Sequence, residues 1–328
     1  MGKYLVAGGA GYVGGVVAAH LLTAGHEVTV LDDLSTGFVA GVPAGAEFVE
    51  GRVQEAGKYL DRSFDGVLHF AACSQVGESV ADPEKYWRNN VGGTIELLRA
   101  MRDAEVRTLV FSSTAAVYGE PVGTPITEDA ATAPGNPYGA SKLAVDHMIS
   151  GECTAHGLAA VSLRYFNVAG AHSSAAGSYG ERHDPESHLI PIVLQVAQGR
   201  RETISVYGTD YPTPDGTCVR DYIHVDDLAE AHLLALTGAA PGEHLVCNLG
   251  NGNGFSVREV IETARRVTGH PIPETAAARR PGDPAVLVAS ADRARDRLGW
   301  RPSRPDLADI IADAWAFAQR EEHEESTK

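Results

Sequence analysis

Cysteine is scarce and scattered: Cys73, Cys153, Cys218 and Cys247 are the only four, and no two form a CxxC pair. This spacing suggests neither a zinc site nor a disulfide framework, and four isolated thiols suit a reducing compartment, so a cytoplasmic location is expected. Basic charge is also short. Lys and Arg number 27 against 43 Asp and Glu, a formal charge of −16. No basic face is then available to neutralise a nucleic-acid backbone or an anionic membrane, and neither partner is expected. A small anionic ligand stays compatible, because arginines focused in a cleft reverse the potential locally. Long apolar runs are missing too. Met1 leads directly into Lys3-Tyr4-Leu5-Val6-Ala7, a strand-like run too short for a signal peptide or a membrane span.

The 328 residues are 44% apolar and 21% charged, ample material for a core and enough chain for two domains or one large fold with an added lobe. Short apolar runs at 4–7, 27–31, 47–49, 67–70, 108–111 and 160–164 alternate with helical patterns at 14–23, 83–102 and 140–156. That rhythm predicts an α/β fold, a doubly wound parallel sheet of the Rossmann type. After about Asn167 it breaks. Residues 169–185 are rich in Gly, Ser, Ala and His and read as a long loop, and Gly/Pro-dense segments follow at 208–217 and 279–284. Helices are expected at 226–236 and 256–268. The predicted division is a cofactor domain over 1–168 with returning segments at about 220–250, a smaller substrate lobe from 169–219 and 251–320, and a flexible acidic tail over 321–328.

Gly8-Gly9-Ala10-Gly11-Tyr12-Val13-Gly14 follows the first strand and opens the first helix. It reads either as GxGxxG from Gly9 or as GxxGxxG from Gly8. Bare backbone at such a turn lets a pyrophosphate reach N–H groups at the positive helix end. Asp32-Asp33 closes the second strand, where a carboxylate binds both ribose hydroxyls and repels a 2′-phosphate, so NAD is favoured over NADP. No Lys-Ser/Thr follows the glycines, which removes a P-loop. The competing reading is a tight turn with no ligand.

Tyr138 and Lys142 stand four apart, one helical turn on one face. A free phenol has a pKa of about 10, so about one molecule in a thousand is phenolate at pH 7. Bringing it to neutrality needs about 4 kcal/mol, which one cation at about 4 Å supplies at an effective dielectric near 20. Tyr138 is thus a candidate base, with Lys142 beside it, and Thr114 at the end of the Ser112-Ser113-Thr114 run is placed to relay a proton. The competing reading is an exposed Tyr/Lys pair on a helix.

Together with these residues, the runs His69-Phe70-Ala71-Ala72, Val76-Gly77-Glu78-Ser79, Asn89-Asn90-Val91, Val117-Tyr118-Gly119, Leu163-Arg164-Tyr165-Phe166-Asn167, Asp215 to Val225 and Arg280-Pro281-Gly282-Asp283 resemble the extended short-chain dehydrogenase/reductases, and among them the UDP-glucose 4-epimerase family. The resemblance reaches to about Pro302. It implies that Tyr138, Lys142 and Thr114 are catalytic, exchanging proton and hydride at the sugar 4-position. NAD would be held by Gly8, Gly11, Tyr12, Val13, Gly14, Asp32, Asp33, Phe70, Ala71, Ala72, Asn90, Ser112, Tyr138, Lys142 and Tyr165. It further implies a UDP-sugar bound by Thr114, Asn167, His188, Leu189, Tyr207, Arg220, Arg280, Asp283 and Leu287. Homodimers of this superfamily use helices matching 83–102 and 140–156, so a homodimer is expected. No metal is expected: His188 reads as a hydrogen-bond donor, and His183 has no partner at ligand spacing. An ion pair with Asp221 or Asp283 is the competing reading of Arg220 and Arg280.

The chain departs from the family's patterns at four places. Where related dehydratases carry Asp-Glu after the threonine, this chain has Ala115-Ala116, which argues against loss of water. Gly51-Arg52-Val53 replaces the usual Gly-Asp-Ile/Val, and Ser74 stands where some members have a lysine, so looser retention of NAD is expected. Leu287 occupies a position where some members carry a bulky Tyr, which opens room for a 2-acetamido group and for UDP-N-acetylhexosamines. The rival readings are a 4-epimerase of other UDP-sugars, a net reductase, and a non-catalytic NAD-sensing protein.

Overall fold

Seven short strands line up in parallel at the centre of the molecule: β1 (Lys3–Ala7), β2 (Glu27–Asp32), β3 (Glu47–Glu50), β4 (Gly66–His69), β5 (Thr108–Thr114), β6 (Ala159–Tyr165) and β7 (His244–Leu249). Their order is β7-β6-β5-β4-β1-β2-β3, and every neighbouring pair is parallel. The computed structural model describes residues 1–174, 177–183, 185–280 and 282–326. Strand order reverses between β1 and β4, so the crevice beyond their carboxyl ends is where such a sheet binds ligands.

Period-two alternation gives the sheet two greasy faces. Leu5 and Ala7 of β1, Leu109 and Phe111 of β5 face one side, where α2 (Gly93–Asp103) and α3 (Pro137–His156) contribute Leu97, Met101, Val145 and Ile149. Val6 and Val110 face the other, against Val16, Val17 and Leu21 of α1 (Tyr12–Thr23) and Leu228 and Ala231 of α5 (Val225–Ala235). A separate cluster builds the lobe from α4 (Leu189–Ala197), α6 (Val257–Thr268) and α8 (Leu307–Ser326) around Val193, Ile261 and Ile310. Two short parallel strands, Ile204–Tyr207 and Glu274–Ala277, join it.

Several sequence expectations need correction. Strand β7 is not among the candidate strands, because HLVCNL carries His and Asn inside a parallel-strand run. The 169–185 segment is no plain loop: Ala171–Ser174 pairs antiparallel with Gly177–Gly180, held down by buried Tyr179. The pattern over 83–102 is not one α-helix, since a π-type turn at Trp87–Gly92 separates Pro83–Tyr86 from α2. The stretch 292–300 joins the sheet core rather than the lobe. Ala294, Leu298 of α7 (Asp292–Leu298) and Trp300 all lie in it, and Trp300 donates its indole N–H to the Asp227 carbonyl at 2.8 Å. The acidic tail is helical through Ser326, tied down by an Arg182–Glu321 ion pair, while residues 327 and 328 lie outside the described chain.

Candidate active site

The carboxyl ends of β1, β4, β5 and β6 open into a cleft of about 1080 Å³ that runs from the glycine loop to the lobe. At its near end the loop needs the glycines of both registers, since a Cβ on Gly9 would stand 2.9 Å from the Val30 side chain. Gly8 has φ +83°, and a Cβ there would stand 2.4 Å from the Ala71 nitrogen. A Cβ on Gly14 would stand 2.3 Å from the Gly8 carbonyl. Gly11 differs: its nearest neighbour is the Gly8 carbonyl at 3.5 Å, so a side chain would fill the cleft instead of clashing. Gly11 also caps α1 without any side-chain bond, which leaves the first-turn N–H groups able to receive an anion.

Asp32 ends β2 in the cleft wall. Its Oδ2 accepts from the Ala10 N–H at 3.0 Å and its Oδ1 from Leu34 at 2.9 Å, and each oxygen keeps a lone pair for a ribose hydroxyl. Burial raises its pKa, and these backbone bonds pull it back. Asp33, Phe70, Ala71, Ala72, Tyr12 and Val13 line the same end. The backbone cradle and this carboxylate together fit a dinucleotide.

Asn90 is the one expected cofactor ligand that does not line the cleft. The π-type turn buries it, where it accepts from the Cys73 N–H at 2.8 Å and donates to the Cys73 carbonyl and Ser141 Oγ at 3.0 Å. It fixes the strand-end loop from behind, while Asn89 lines the cleft. Ser74 lines the cleft and Arg52 is an exposed residue outside the wall. No sequence signal singles out Lys85, yet it reaches the cleft close to Cys73, its ammonium held by Glu78 at 2.6 Å.

Mid-cleft, Tyr138 enters at the start of α3, whose N-terminus is fixed by Pro137 and by Asn136, which accepts from the Gly139 N–H at 2.9 Å. Thr114 and Ser112 come from the end of β5 and Tyr165 from β6, so three elements converge on one wall. Tyr138 packs edge-on against Tyr86, centroids 6.4 Å apart. Burial raises the Tyr138 pKa, and the Thr114 side chain pulls the other way. Lys142 is almost wholly buried, donating to the Ser112 carbonyl at 2.8 Å, with its ammonium 4.8 Å from the Phe111 ring centre. Burial brings its pKa down to about 8. The expected depression of the phenol by Lys142 is therefore not what dominates; burial is, and the ammonium is turned to a carbonyl. Tyr165, raised by burial, touches Ser112 through its hydroxyl.

At the lobe end Arg220, Arg280, Asp283, Leu287, Asn167, His188 and Leu189 line the wall. Arg220 donates to the Val219 carbonyl at 2.7 Å and pairs with Asp283, so the ion pair forms in the cleft wall itself. Asp221 is elsewhere engaged: its carboxylate accepts backbone N–H groups of Asn251, Gly252 and Ala289 at 2.8, 3.2 and 3.0 Å. Tyr207 is not in the wall itself; the Arg280 guanidinium lies over its ring at 4.1 Å. His183 has partners that its spacing did not suggest. Backbone N–H groups of Ser187 and His188 fold onto Glu186, bringing Glu181, His183, Glu186 and His188 together.

Sheet order, glycine cradle and the Tyr138/Lys142/Thr114 wall define a dinucleotide-dependent enzyme of the extended short-chain dehydrogenase/reductase class. The model of the NAD dependent epimerase/dehydratase family matches residues 4–250. A UDP-glucose 4-epimerase of Streptomyces lividans is 72% identical over 323 residues, 96% of each chain. The crystal structure of UDP-glucose 4-epimerase from Brucella ovis in complex with NAD superposes with a TM-score of 0.90 at 44% identity, covering 97% of this chain and 98% of that one. That of the Bifidobacterium longum UDP-glucose 4-epimerase with NAD+ and UDP gives 0.88 at 38% identity over 97% and 98% of the two chains. The chain belongs to the NAD dependent epimerase/dehydratase family and, within it, to the UDP-glucose 4-epimerases. Among the described residues no helix is long and apolar enough to cross a membrane.

Proposed function

We propose that this chain interconverts UDP-glucose and UDP-galactose by inverting C4 of the UDP-hexose with NAD as its cofactor. The observation that carries the reading is one continuous wall: Thr114, Tyr138 and Lys142 stand between the glycine cradle and the arginine-bearing lobe. Oxidised NAD held by the glycine cradle and Asp32 would supply reversible two-electron chemistry at the sugar carbon and a positive charge. Tyr138 Oη takes the proton of the sugar 4-hydroxyl, with Thr114 Oγ1 relaying it, and returns it to the same oxygen after the 4-keto sugar has turned its other face for reduction at C4. Lys142, locked to the Ser112 carbonyl, orients the nicotinamide end rather than titrating the phenol on its own. Arg220, Arg280 and Asn167 grip the diphosphate through paired, charge-assisted bonds, so the sugar turns about a fixed tether. Asp283 takes the uridine ribose and Tyr207, beneath Arg280, flanks the uracil. Ala115 and Ala116 line the cleft with no acid to expel water.

The cofactor is assigned to 1–168 with 220–250, and the UDP-sugar to 169–219 and 251–320 less the core stretch 292–300. Trp87 and Ile95, 43% and 49% exposed and about two helical turns apart, support a homodimer through that face. Four free cysteines support a cytoplasmic location. A second reading has its own observation. Leu287 lies in the cleft wall, paired in register with Arg220, rather than wholly in the core, which supports turnover of UDP-N-acetylhexosamines as well. Incubation with UDP-galactose and catalytic NAD, followed by identification of the sugar, tests the first reading, and a parallel arm with UDP-GlcNAc tests the second. UDP-glucose is the expected product. Recovery of only UDP-galactose, or of a dehydrated sugar, would overturn the assignment.

A further inference from the structure

The lobe-side rim of the cleft carries a cluster that the mechanism above leaves half used. Glu181, His183, Glu186 and His188 each offer one ligand atom, and these four atoms lie within 4.8 Å of one another. Nδ1 of both histidines meets Oε1 of Glu181, that of His183 at 3.1 Å and that of His188 closer. Glu186 Oε1 accepts the backbone N–H groups of Ser187 and His188 at 2.7 and 2.8 Å and stands 3.8 Å from His183 Nδ1. The two rings meet edge to face, 5.3 Å between centroids.

Exposure separates the roles. The side chains of Glu181 and Glu186 are 6% and 4% exposed, whereas that of His188 is 55% exposed. Two buried carboxylates without a positive partner are strongly unfavourable. Protonated imidazoles provide that partner. Burial works against charge on His183, but its bonds to Glu181 and Glu186 outweigh it and lift its pKa to about 10; His188 is raised in the same manner by Glu181. From neighbouring elements Tyr12 of α1 and Tyr222 of the Tyr222–His224 strand also feel Glu181; burial raises both phenols and keeps them neutral. Arg220 lies beyond Tyr222 and adds positive potential. Both Nδ1 atoms converge on one carboxylate oxygen as donors do, and a cation in their midst would require both protons to leave.

We infer that Glu181 is a positioning residue for diphosphate recognition: by accepting the Nδ1 proton of His188 it turns the Nε2–H into the cleft as a fixed, charged donor. The inference rests on the reading of His188 as a diphosphate ligand. The test is steady-state kinetics with UDP-glucose at saturating NAD, from pH 6 to 10, on the full chain. Wild-type KM begins to rise only above the pH at which an ordinary imidazole loses its proton, because its pairing with Glu181 raises the His188 pKa. Glu181→Gln raises KM about tenfold, as expected for loss of a hydrogen bond between charged groups, with a smaller change in kcat. Its KM also begins to climb near the ordinary imidazole value of about 6.5. His188→Asn, which keeps a donor but cannot titrate, makes KM independent of pH and tests the same point with Glu181 still paired to His183. A Glu181→Gln enzyme with wild-type KM and pH profile, beside a His188→Ala enzyme with raised KM, would sink the positioning role alone. An unchanged KM in His188→Ala would remove the ligand reading and the inference with it. Activity lost to chelator and restored by Zn²⁺ would make the cluster a metal centre and overturn the inference.

Discussion

Tyr138 carries two opposed influences, and their balance sets what the residue can do. Burial holds the phenol protonated, while the Thr114 side chain pulls its pKa down. A neutral phenol at rest guards against loss of the proton to water, and it acquires basic character only when positive charge enters the cleft. Replacing Tyr138 by Phe removes the proposed proton acceptor but keeps the ring against Tyr86. Turnover of UDP-galactose should fall by about 10²–10⁴-fold, the usual worth of a positioned acid–base group, with circular dichroism and NAD binding unchanged. A loss below about threefold would mean that another group handles the proton. At this scale the sequence was informative where chemistry is local. Tyr138 and Lys142 are one helical turn apart, and the Gly8–Gly14 run follows a strand and opens a helix. It was silent where the partner is set by folding. Nothing near Lys142 announces that its ammonium is held by the Ser112 carbonyl thirty residues upstream.

Among the elements, α3 matters most, because it carries both Tyr138 and Lys142. It is anchored to the sheet beneath the site by a buried ion pair. Arg164 of β6 donates from Nη2 and Nε to Asp146 Oδ2 at 2.8 and 3.1 Å, and Ser113 Oγ reaches the same oxygen at 3.3 Å. Tyr118 extends the network, accepting from Arg164 Nη1 at 3.1 Å and donating to Asn248 of β7 at 2.7 Å. Removing the cation strands a buried carboxylate. Arg164→Met should therefore lower the free energy of unfolding by about 3–5 kcal/mol in urea titrations. A change under about 1 kcal/mol would show that the pair does not hold the helix. The sequence presents Arg164 only as a member of a run, since its partner lies on another element and is chosen by strand order. Strand β7 and the hairpin at Ala171–Ser174 were obscured for a related reason. Their polar side chains have partners fixed by folding: Asn248 donates its amide to the Ile126 carbonyl at 3.0 Å, and His172 meets Asp226 at 2.8 Å.

Across the whole molecule, sheet and lobe are stitched by side chains that are not part of the cleft wall. His20 of α1 and His172 of the hairpin both bond Asp226 Oδ1, at 2.9 and 2.8 Å. His224 and Arg304 meet Asp313 of α8 at 3.1 and 2.5 Å. The proposed dimer lies on another face, along the helices that carry Trp87 and Ile95. Apolar side chains exposed to this degree are well covered by a second copy and poorly tolerated beside a carboxylate. Trp87→Glu with Ile95→Glu should convert a dimer to a monomer by light scattering after gel filtration. A wild-type chain that already elutes as a monomer would refute that assembly. Periodicity foretold the doubly wound class, since parallel strands buried on both faces leave plain apolar runs. It could not divide the chain cleanly, because segment 292–300 returns to the sheet core and such a return leaves no trace in local spacing.

The π-type turn at Trp87–Gly92 sets two adjacent asparagines to different tasks, Asn89 toward the cleft and Asn90 into the core. An extra residue in a helix is also a fixed rotation, about 100° for everything on one side of it relative to the other. Shortening the chain by one residue within 87–92 would restore a regular spiral and swing Tyr86 out from against Tyr138. A single in-frame codon deletion, far in sequence from the Gly8–Gly14 loop and from Arg220 and Arg280, would thus disturb the Thr114/Tyr138/Lys142 wall without touching any of those three residues.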